Sequence, residues 1–246
     1  MSFKDHFSAL AAGYAVFRPD YPQALFEYLA AVAPRGECAW DCATGSGQAA
    51  VALARHFQRV IATDASAEQI AKAHPHPRVH YAVAAAEDSD LPSRSVDLVT
   101  VAQALHWFDL PRFFTEVDRV LRPDGVLAVW TYNLFRTDIA ELDAAIQRLY
   151  GDVLDGYWPP ERRLVERGYQ DLAIPFTALA VPTFEMHSCW DATHLLGYLR
   201  TWSAVRHYRE SCGTDPVAAL EEEVRARAGA QSLEIRWPLA VRVFKR

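Results

Sequence analysis

The chain has 246 residues, 51% of them hydrophobic, and its formal net charge at pH 7 is −6. This length suits one large α/β domain with a full core, and the acidic balance argues against a general nucleic-acid binder. The sequence contains no run of about 18 apolar residues and no basic-then-apolar leader, so we expect a cytoplasmic protein without a membrane partner.

An N-terminal helical segment precedes the first predicted strand. Apolar residues recur at helical spacing over 22–33, where Pro22 suits a first helical turn and Pro34 ends the helix. We expect residues 1–35 to form a helical lid.

Strand and helix patterns alternate from residue 37 onward. The predicted strands span 37–42, 59–63, 78–83, 96–102 and 125–132. The predicted helices span 46–57, 66–73 and 110–121. Such alternation is typical of a parallel sheet with helices on both faces, where ligands bind at the carboxyl ends of the strands. Asp41, Asp64 and the segments 84–87 and 103–107 follow strand ends, so we expect them to share one edge.

The pattern changes after residue 132. Predicted helices at 136–150 and 160–169 indicate a helical cap inserted over residues 133–181. The C-terminal part, residues 182–246, contains a predicted strand at 182–190, helices at 191–208 and 215–228, and a final strand at 236–244. We expect a single domain of residues 1–246 with its ligand-binding core in residues 36–132.

The stretch from residue 36 to residue 64 carries the strongest functional signal. A strand that ends in Asp41 is followed by the small-residue loop Ala43-Thr44-Gly45-Ser46-Gly47, a helix, and a strand that ends in Asp64. Small residues let a backbone approach a ligand, and a helix N-terminus offers free N–H groups. Asp64 lies 17 residues after Gly47, about the separation at which an acidic residue meets the ribose hydroxyls in nucleotide-binding units. The stretch therefore predicts a ligand with a nucleoside, although NAD and a merely structural turn also fit the glycine pattern alone.

The cysteines and histidines do not indicate a metal site. None of the four cysteines forms a C-x-x-C pair, and Cys38 and Cys42 bracket the first strand, where we expect them to be buried and reduced. His74 and His76 share a loop without a supporting cysteine or carboxylate arrangement, so no metal is expected there.

Several motifs, in order along the chain, resemble those of class I S-adenosylmethionine-dependent methyltransferases. The stretch DCATGSG resembles the first motif of that family, with Ala43 in place of the first glycine, and Asp64 matches the acid that holds the ribose hydroxyls. Residues 103–108 resemble the segment under the methionine moiety, and residues 122–127 resemble the turn before the fifth strand. Residues 14–22 and 198–208, with Trp237-Pro238-Leu239, resemble the methyltransferase type 11 or trans-aconitate methyltransferase-like subgroup.

The resemblance implies a fold and a cofactor. The fold is α/β and Rossmann-like, with a seven-stranded, mostly parallel sheet whose last strand is antiparallel, helices on both faces, and a helical cap after the fifth strand. The cofactor is S-adenosyl-L-methionine. The residues expected to bind it are Tyr14, Arg18, Asp41, Ala43, Thr44, Gly45, Gly47, Gln48, Asp64, Ala65, Gln69, Ala86, Glu87, Gln103 and Ala104. Ala85 departs from the family pattern, because it stands where an aspartate would contact adenine.

Individual roles have alternatives. Asp41 is expected to orient the glycine loop and accept a bond from the amino group of the cofactor, or only to cap its own turn. Arg18 is expected to meet the cofactor carboxylate, or to be a surface arginine before a proline. Asp64 is expected to hold the ribose, and its alternative role as a helix cap can be filled by Ser66.

The expected catalytic residues are His106 and Trp107, which follow the fourth strand. His106 would act as a general base for a hydroxyl or amine acceptor, or both residues would only shape the pocket. Trp202, Arg206, His207 and Tyr208 would line the acceptor side, or form an ordinary helix face. If the acceptor is an acid, an arginine from residues 136–209 should hold a second carboxylate.

The expected activity is in-line methyl transfer to a small-molecule acceptor, with O-methylation of a carboxylate or hydroxyl favoured. The expected assembly is a monomer or homodimer. An NAD-dependent oxidoreductase and a non-catalytic S-adenosylmethionine-binding protein remain as alternatives.

Overall fold

The computed structural model describes residues 19–228 and 232–246. Helix α1 (Gln23–Val32) begins directly after Pro22 and buries Leu25, Phe26 and Leu29. The helix expected at 22–33 is therefore present. Residues 1–18, the remainder of the expected lid, lie outside the described residues.

The ligand-binding half alternates strands and helices as the sequence predicts. Its elements are β1 (Cys38–Cys42), α2 (Gln48–Leu53), β2 (Arg59–Asp64), α3 (Ala67–Ala71), β3 (Val79–Val83), β4 (Val96–Ala102), a 3-10 turn (Leu105–Trp107), α4 (Leu110–Val120) and β5 (Leu121–Tyr132). Asp109 caps α4 by accepting the amide of Arg112. Strand β5 starts earlier than the predicted 125–132, and the turn expected within residues 122–127 is an irregularity of this strand, where Asp124 has a φ of 64°.

The remaining chain adds short strands and helices around the end of the sheet. Its elements are β6 (Arg136–Thr137), α5 (Ala140–Arg148), a π-helical turn (Leu149–Val153), α6 (Arg162–Glu166), β7 (Thr177–Ala178), β8 (Phe184–Trp190), α7 (Ala192–Arg200), α8 (Ser203–Cys212), α9 (Ala218–Ala228) and β9 (Leu233–Lys245). No helix in the described ranges is both long and apolar enough to cross a membrane.

The sheet confirms the predicted topology. Strands β3, β2, β1, β4 and β5 are parallel neighbours in that order. Strand β9 is antiparallel to β5 on one edge and to β8 on the other. Two-residue strands β6 and β7 also pair with β9, so the sheet has two more strands than the expected seven.

Helices cover both faces of the sheet because successive strand residues point to opposite sides. Ala39 of β1 and Trp130 of β5 pack with α1 and α2 on one face. Trp40 and Val129, their chain neighbours, pack with α4 on the other face. The carboxyl ends of the parallel strands are thereby held at one edge, where the ligand loops begin.

Three predicted helices differ from the structure. The helix expected at 136–150 begins only at Ala140, because Arg136 and Thr137 pair with β9 as strand β6. The other two are broken. The expected helix at 191–208 is two helices, because Trp202 adopts an extended backbone (φ −65°, ψ 135°) and Thr201 donates its hydroxyl to the carbonyl of Tyr198. The expected helix at 160–169 ends at Glu166, because Gly168 and Tyr169 both have positive φ angles. Both breaks turn aromatic side chains inward, as described below.

Candidate active site

Asp41 anchors the glycine loop at the end of β1. Its side chain is buried, and its carboxylate accepts the hydroxyls of Thr44 at 2.5 Å and Thr100 at 2.7 Å. Burial raises the pKa of Asp41 to about 6, and the charge of Asp64 adds to the shift. A positively charged ligand group nearby would stabilise the ionised carboxylate. The loop-orienting role is thus present, and contact with the cofactor amino group stays a prediction.

Asp64 joins the glycine loop to the end of β2. One carboxylate oxygen accepts the Gly45 amide and the other accepts the Ser66 amide, each at 2.9 Å. Ser66 caps α3 by accepting the amide of Gln69 at 3.3 Å, so Asp64 is not the cap of that helix. Because each carboxylate oxygen has a second lone pair, Asp64 can still accept ribose hydroxyls.

The loop backbone needs glycine at one position and tolerates alanine at another. Gly47 has a φ of 88°, and a Cβ there would lie 2.1 Å from the hydroxyl of Tyr81. Gly45 has a φ of 56° and open space beside it, which leaves room for a ligand to approach. Ala43, in place of the family glycine, also has a positive φ of 54°. Alanine therefore adopts the left-handed backbone conformation at this position, which glycine adopts more readily.

Gln48 connects the loop helix to the N-terminal segment. Its amide nitrogen donates to the Pro19 carbonyl at 2.9 Å and to the Asp20 carboxylate at 3.0 Å. The first described residues thus lie against the start of α2. Tyr14 and Arg18, both expected to bind the cofactor, lie outside the described residues.

The expected cofactor residues after β2 and β3 lie at the same edge. Ala65 is exposed and Gln69 is half-buried, whereas Ala86 is buried. Glu87 accepts the Asp109 amide at 2.8 Å and so ties the loop after β3 to the start of α4. This structural use of Glu87 was not visible in the sequence.

Gln103 is fixed by the end of β5. Its backbone has a φ of 58°, its amide nitrogen donates to the Tyr132 carbonyl at 3.0 Å, and its amide oxygen accepts the Thr131 hydroxyl at 2.6 Å. Ala104, the next residue, is buried. The segment expected under the methionine moiety is therefore held rigidly against the neighbouring strand.

His106 is bound to a tyrosine that the sequence did not single out. Its Nδ1 lies 2.9 Å from the hydroxyl of Tyr169, which is fully buried in the positive-φ turn after α6. Burial and the charge of Arg162 lower the pKa of His106 to about 4. The imidazole is therefore neutral near pH 7, and its conjugate acid is too strong for an efficient general base. This favours the pocket-shaping interpretation of His106 and Trp107, whose rings lie 4.7 Å apart.

A cavity of about 130 Å³ opens beside these residues. It is bounded by the segments after β4 and β5, by the insert between β6 and β7, and by the break between α7 and α8. The aromatic and histidine side chains on its wall are His106, Trp107, Tyr132, Tyr150, Trp158, Tyr198, Trp202 and His207. The expected Trp202, Arg206 and His207 thus line it, whereas the ring of Tyr208 packs at a tilt against the ring of Tyr157, with centroids 5.0 Å apart.

The insert contributes aromatic residues that the sequence pattern did not reveal. The π-helical turn carries Tyr150, whose ring lies 4.7 Å from that of Trp158. Trp158 donates its indole N–H to the Tyr150 carbonyl at 3.0 Å and lies 5.7 Å from the ring of Trp202. These contacts join the insert and the break between α7 and α8 into one continuous aromatic wall.

Comparison with known proteins identifies the family and the fold. The sequence profile of the family described as "Methyltransferase domain" matches residues 40–129. A Dictyostelium discoideum protein named as a methyltransferase is 34% identical over 223 residues, which cover 89% of this chain and 85% of the relative. A solved structure from Anaeromyxobacter dehalogenans, described as a type II methyltransferase, is 49% identical and superposes with a TM-score of 0.88 over 93% of this chain and 97% of that chain.

The chain belongs to the class I S-adenosylmethionine-dependent methyltransferases. The methyltransferase is an enzyme, and its cofactor is S-adenosyl-L-methionine. A solved methyltransferase from Anabaena variabilis, at 19% identity and a TM-score of 0.55, shares the fold. Membership in this family removes the NAD-dependent oxidoreductase alternative.

The geometry of this methyltransferase fits the cofactor. The open space at Gly45, the two accepting oxygens of Asp64 and the buried carboxylate of Asp41 suit a ligand with a ribose and a positive charge. The family profile ends at residue 129, before most of the cavity wall. Family membership therefore says little about the acceptor.

Proposed function

We propose that this methyltransferase transfers a methyl group to a small-molecule acceptor bound in the aromatic cavity, and that the acceptor atom is a carboxylate or hydroxyl oxygen. The observation that carries the proposal is the cavity itself. It adjoins Gln103, His106 and Trp107, which follow β4 at the edge where the cofactor loops lie.

The size of the cavity supports a small acceptor. Its volume of about 130 Å³ is close to the roughly 150 Å³ of an engineered cavity that holds benzene. A macromolecular acceptor would need an open groove, and the net charge of −6 gives no attraction for nucleic acid.

The charges on the wall support an oxygen acceptor. No aspartate or glutamate lines the cavity among the residues that the structure describes, whereas Arg162 and Arg206 do. A protonated amine would meet no opposite charge there, so acids and hydroxyl compounds fit better.

The proposed methyl transfer requires few specialised catalytic groups from the protein. Bound S-adenosylmethionine supplies an activated methyl group, so the protein must align the acceptor and exclude water. The rings of Tyr150, Trp158 and Trp202 provide a stiff apolar wall for both tasks. A carboxylate acceptor needs no base, which agrees with the low pKa of His106.

Two segments are proposed to enclose this site within a single domain. The contacts of Gln48 with Pro19 and Asp20 support a lid formed by residues 1–35. Tyr150 and Trp158 on the cavity wall support a cap formed by residues 133–181.

The test begins with the cofactor and ends with the acceptor. Calorimetry should show micromolar binding of S-adenosylhomocysteine and no binding of NAD. Methyl transfer from labelled S-adenosylmethionine should then be measured on a panel of small acids, phenols and amines. Turnover of acids or phenols is expected. Turnover confined to amines, or binding of S-adenosylhomocysteine without turnover of any compound, would refute the proposal.

A further inference from the structure

The two arginines on the cavity wall, Arg162 and Arg206, differ in whether the protein already uses their hydrogen-bond donors. Arg162 is occupied by the protein: its Nε donates to the Tyr150 hydroxyl at 2.9 Å, and its Nη2 donates to the side-chain oxygen of Asn133. Its Nε also lies 4.0 Å from the carboxylate of Glu166, which balances its charge. Arg162 therefore braces the aromatic wall.

Arg206, by contrast, has an unused donor. Its Nε is buried and has no hydrogen-bond partner within residues 19–228 and 232–246. The nearest carboxylate, that of Glu210, lies 3.9 Å from this Nε on a side chain that is 65% exposed. A buried donor without a partner is costly, and more so when it is charged. An oxygen of a bound ligand would remove that cost.

The neighbouring histidine does not compete for this role. His207 Nδ1 lies 2.9 Å from the Tyr157 carbonyl, which can only accept, so Nδ1 carries the proton. In the neutral ring Nε2 is then an acceptor, 3.5 Å from Nη2 of Arg206. The guanidinium of Arg206 is thus the available hydrogen-bond donor of this pair.

The cavity wall also includes the residues nearest the cofactor edge. His106 and Trp107 follow β4, whereas Arg206 lies on α8. An oxygen paired with a guanidinium has its negative charge stabilised, which makes it a poorer nucleophile. The group bound by Arg206 should therefore anchor the acceptor, and a second group should receive the methyl.

We propose that Arg206 determines acceptor specificity by binding a carboxylate of a small planar acid, whose body packs on the aromatic wall and whose other oxygen is methylated. The proposal rests on the proposed function, because it assigns the acceptor of that same site. Arg206 is thus assigned to the ligand and Arg162 to the protein wall, a difference in role that the sequence alone did not reveal.

Binding of a simple probe tests the proposal without turnover. Benzoate and benzamide have the same planar ring and differ in charge, and their binding can be followed by tryptophan fluorescence with S-adenosylhomocysteine present. The wild-type protein should bind benzoate at least tenfold more tightly than benzamide. Arg206→Gln should lose at least tenfold in benzoate affinity and leave benzamide unchanged, and Arg206→Lys should recover part of the loss.

Arg209→Gln is the matched control, because Arg209 lies exposed on the same helix and outside the cavity wall. It should bind benzoate like the wild type. Equal binding of benzoate and benzamide by the wild type, or undiminished benzoate binding by Arg206→Gln, would overturn the proposal. Calorimetry of S-adenosylhomocysteine checks that each variant is folded. Failure of the acceptor panel with intact benzoate selectivity would refute the proposed function alone.

Discussion

The buried neutral His106 should make this methyltransferase lose stability on acidification. The pKa of His106 is lowered from 6.5 to about 4 by burial and by the charge of Arg162. Because the folded pKa is the lower one, the unfolded chain binds the proton first as the pH falls. The contribution of the neutral His106 ring to the free energy of unfolding is complete above pH 6.5 and is lost progressively toward pH 4.

The size of the effect follows from the two pKa values. One pKa unit corresponds to about 1.36 kcal/mol, so the complete loss amounts to about 3 kcal/mol and the loss between pH 7.5 and 5 to about 2 kcal/mol. Asp41 acts in the opposite direction, because its raised pKa makes the folded state bind a proton first. The pH dependence of the free energy of unfolding of the wild type alone would therefore not reveal the contribution of His106.

The comparison with His106→Asn isolates the contribution. An asparagine has a polar group near the position of Nδ1, where Tyr169 binds, and it does not titrate. Urea unfolding at pH 7.5 and pH 5 should show that the wild type loses about 2 kcal/mol more than the variant. His80→Asn, on the exposed side of β3, controls for replacing an imidazole. The difference from the wild type in the free energy of unfolding lost between pH 7.5 and pH 5 should be larger for His106→Asn than for His80→Asn. If it is not, the assignment of His106 as a buried neutral ring is refuted.

Three further predictions concern the cofactor loop. Asp64→Ala should weaken S-adenosylhomocysteine binding at least tenfold in calorimetry, which corresponds to about 1.4 kcal/mol. Ala43→Gly should raise the free energy of unfolding by about 0.5–1 kcal/mol, because glycine adopts the positive φ of this position without strain. Gly47→Ala should lower the free energy of unfolding by about 2 kcal/mol or more, because its φ is positive and a Cβ would lie 2.1 Å from the hydroxyl of Tyr81.

Two of the loop predictions have a control variant, and all three have a result that would contradict them. Ser66→Ala removes the cap of α3 and leaves the Asp64 carboxylate in place, so an equal loss of affinity would show that Asp64 acts only on the loop. Ala52→Gly, inside α2, should lower stability by about 1 kcal/mol, opposite to Ala43→Gly. A destabilised Ala43→Gly protein would contradict the strain argument. An unaffected Gly47→Ala protein would show that the loop can rearrange.

The cofactor edge could be predicted because its signals are local. Alternating apolar runs fix the strands, and Gly45, Gly47 and Asp64 lie within one strand–turn–helix–strand unit. The order of the parallel strands then brings their carboxyl ends together. Ser66, at an N-cap position, could be preferred to Asp64 as the helix cap for the same local reason.

The acceptor cavity could not be predicted in the same way, because its wall depends on tertiary contacts. Tyr169 reaches His106 only through a positive-φ turn after α6, and Tyr150 reaches the cavity on a π-helical turn. Neither the positive-φ turn nor the π-helical turn produces a periodic pattern of apolar residues in the sequence. The different states of Arg162 and Arg206 depend on partners distant in sequence, such as Asn133, which only the folded structure brings close.

Strand β9 has a consequence for how the protein folds. It lies between β5 and β8, and Val126 of β5 pairs with Lys245, almost half of the chain away. Until β9 docks, β5 has an apolar edge with unpaired backbone groups, which is a template for pairing with other chains. Such distant pairing is slow. We therefore expect refolding yields to fall as the protein concentration rises, with aggregation competing most strongly before the last strand is inserted.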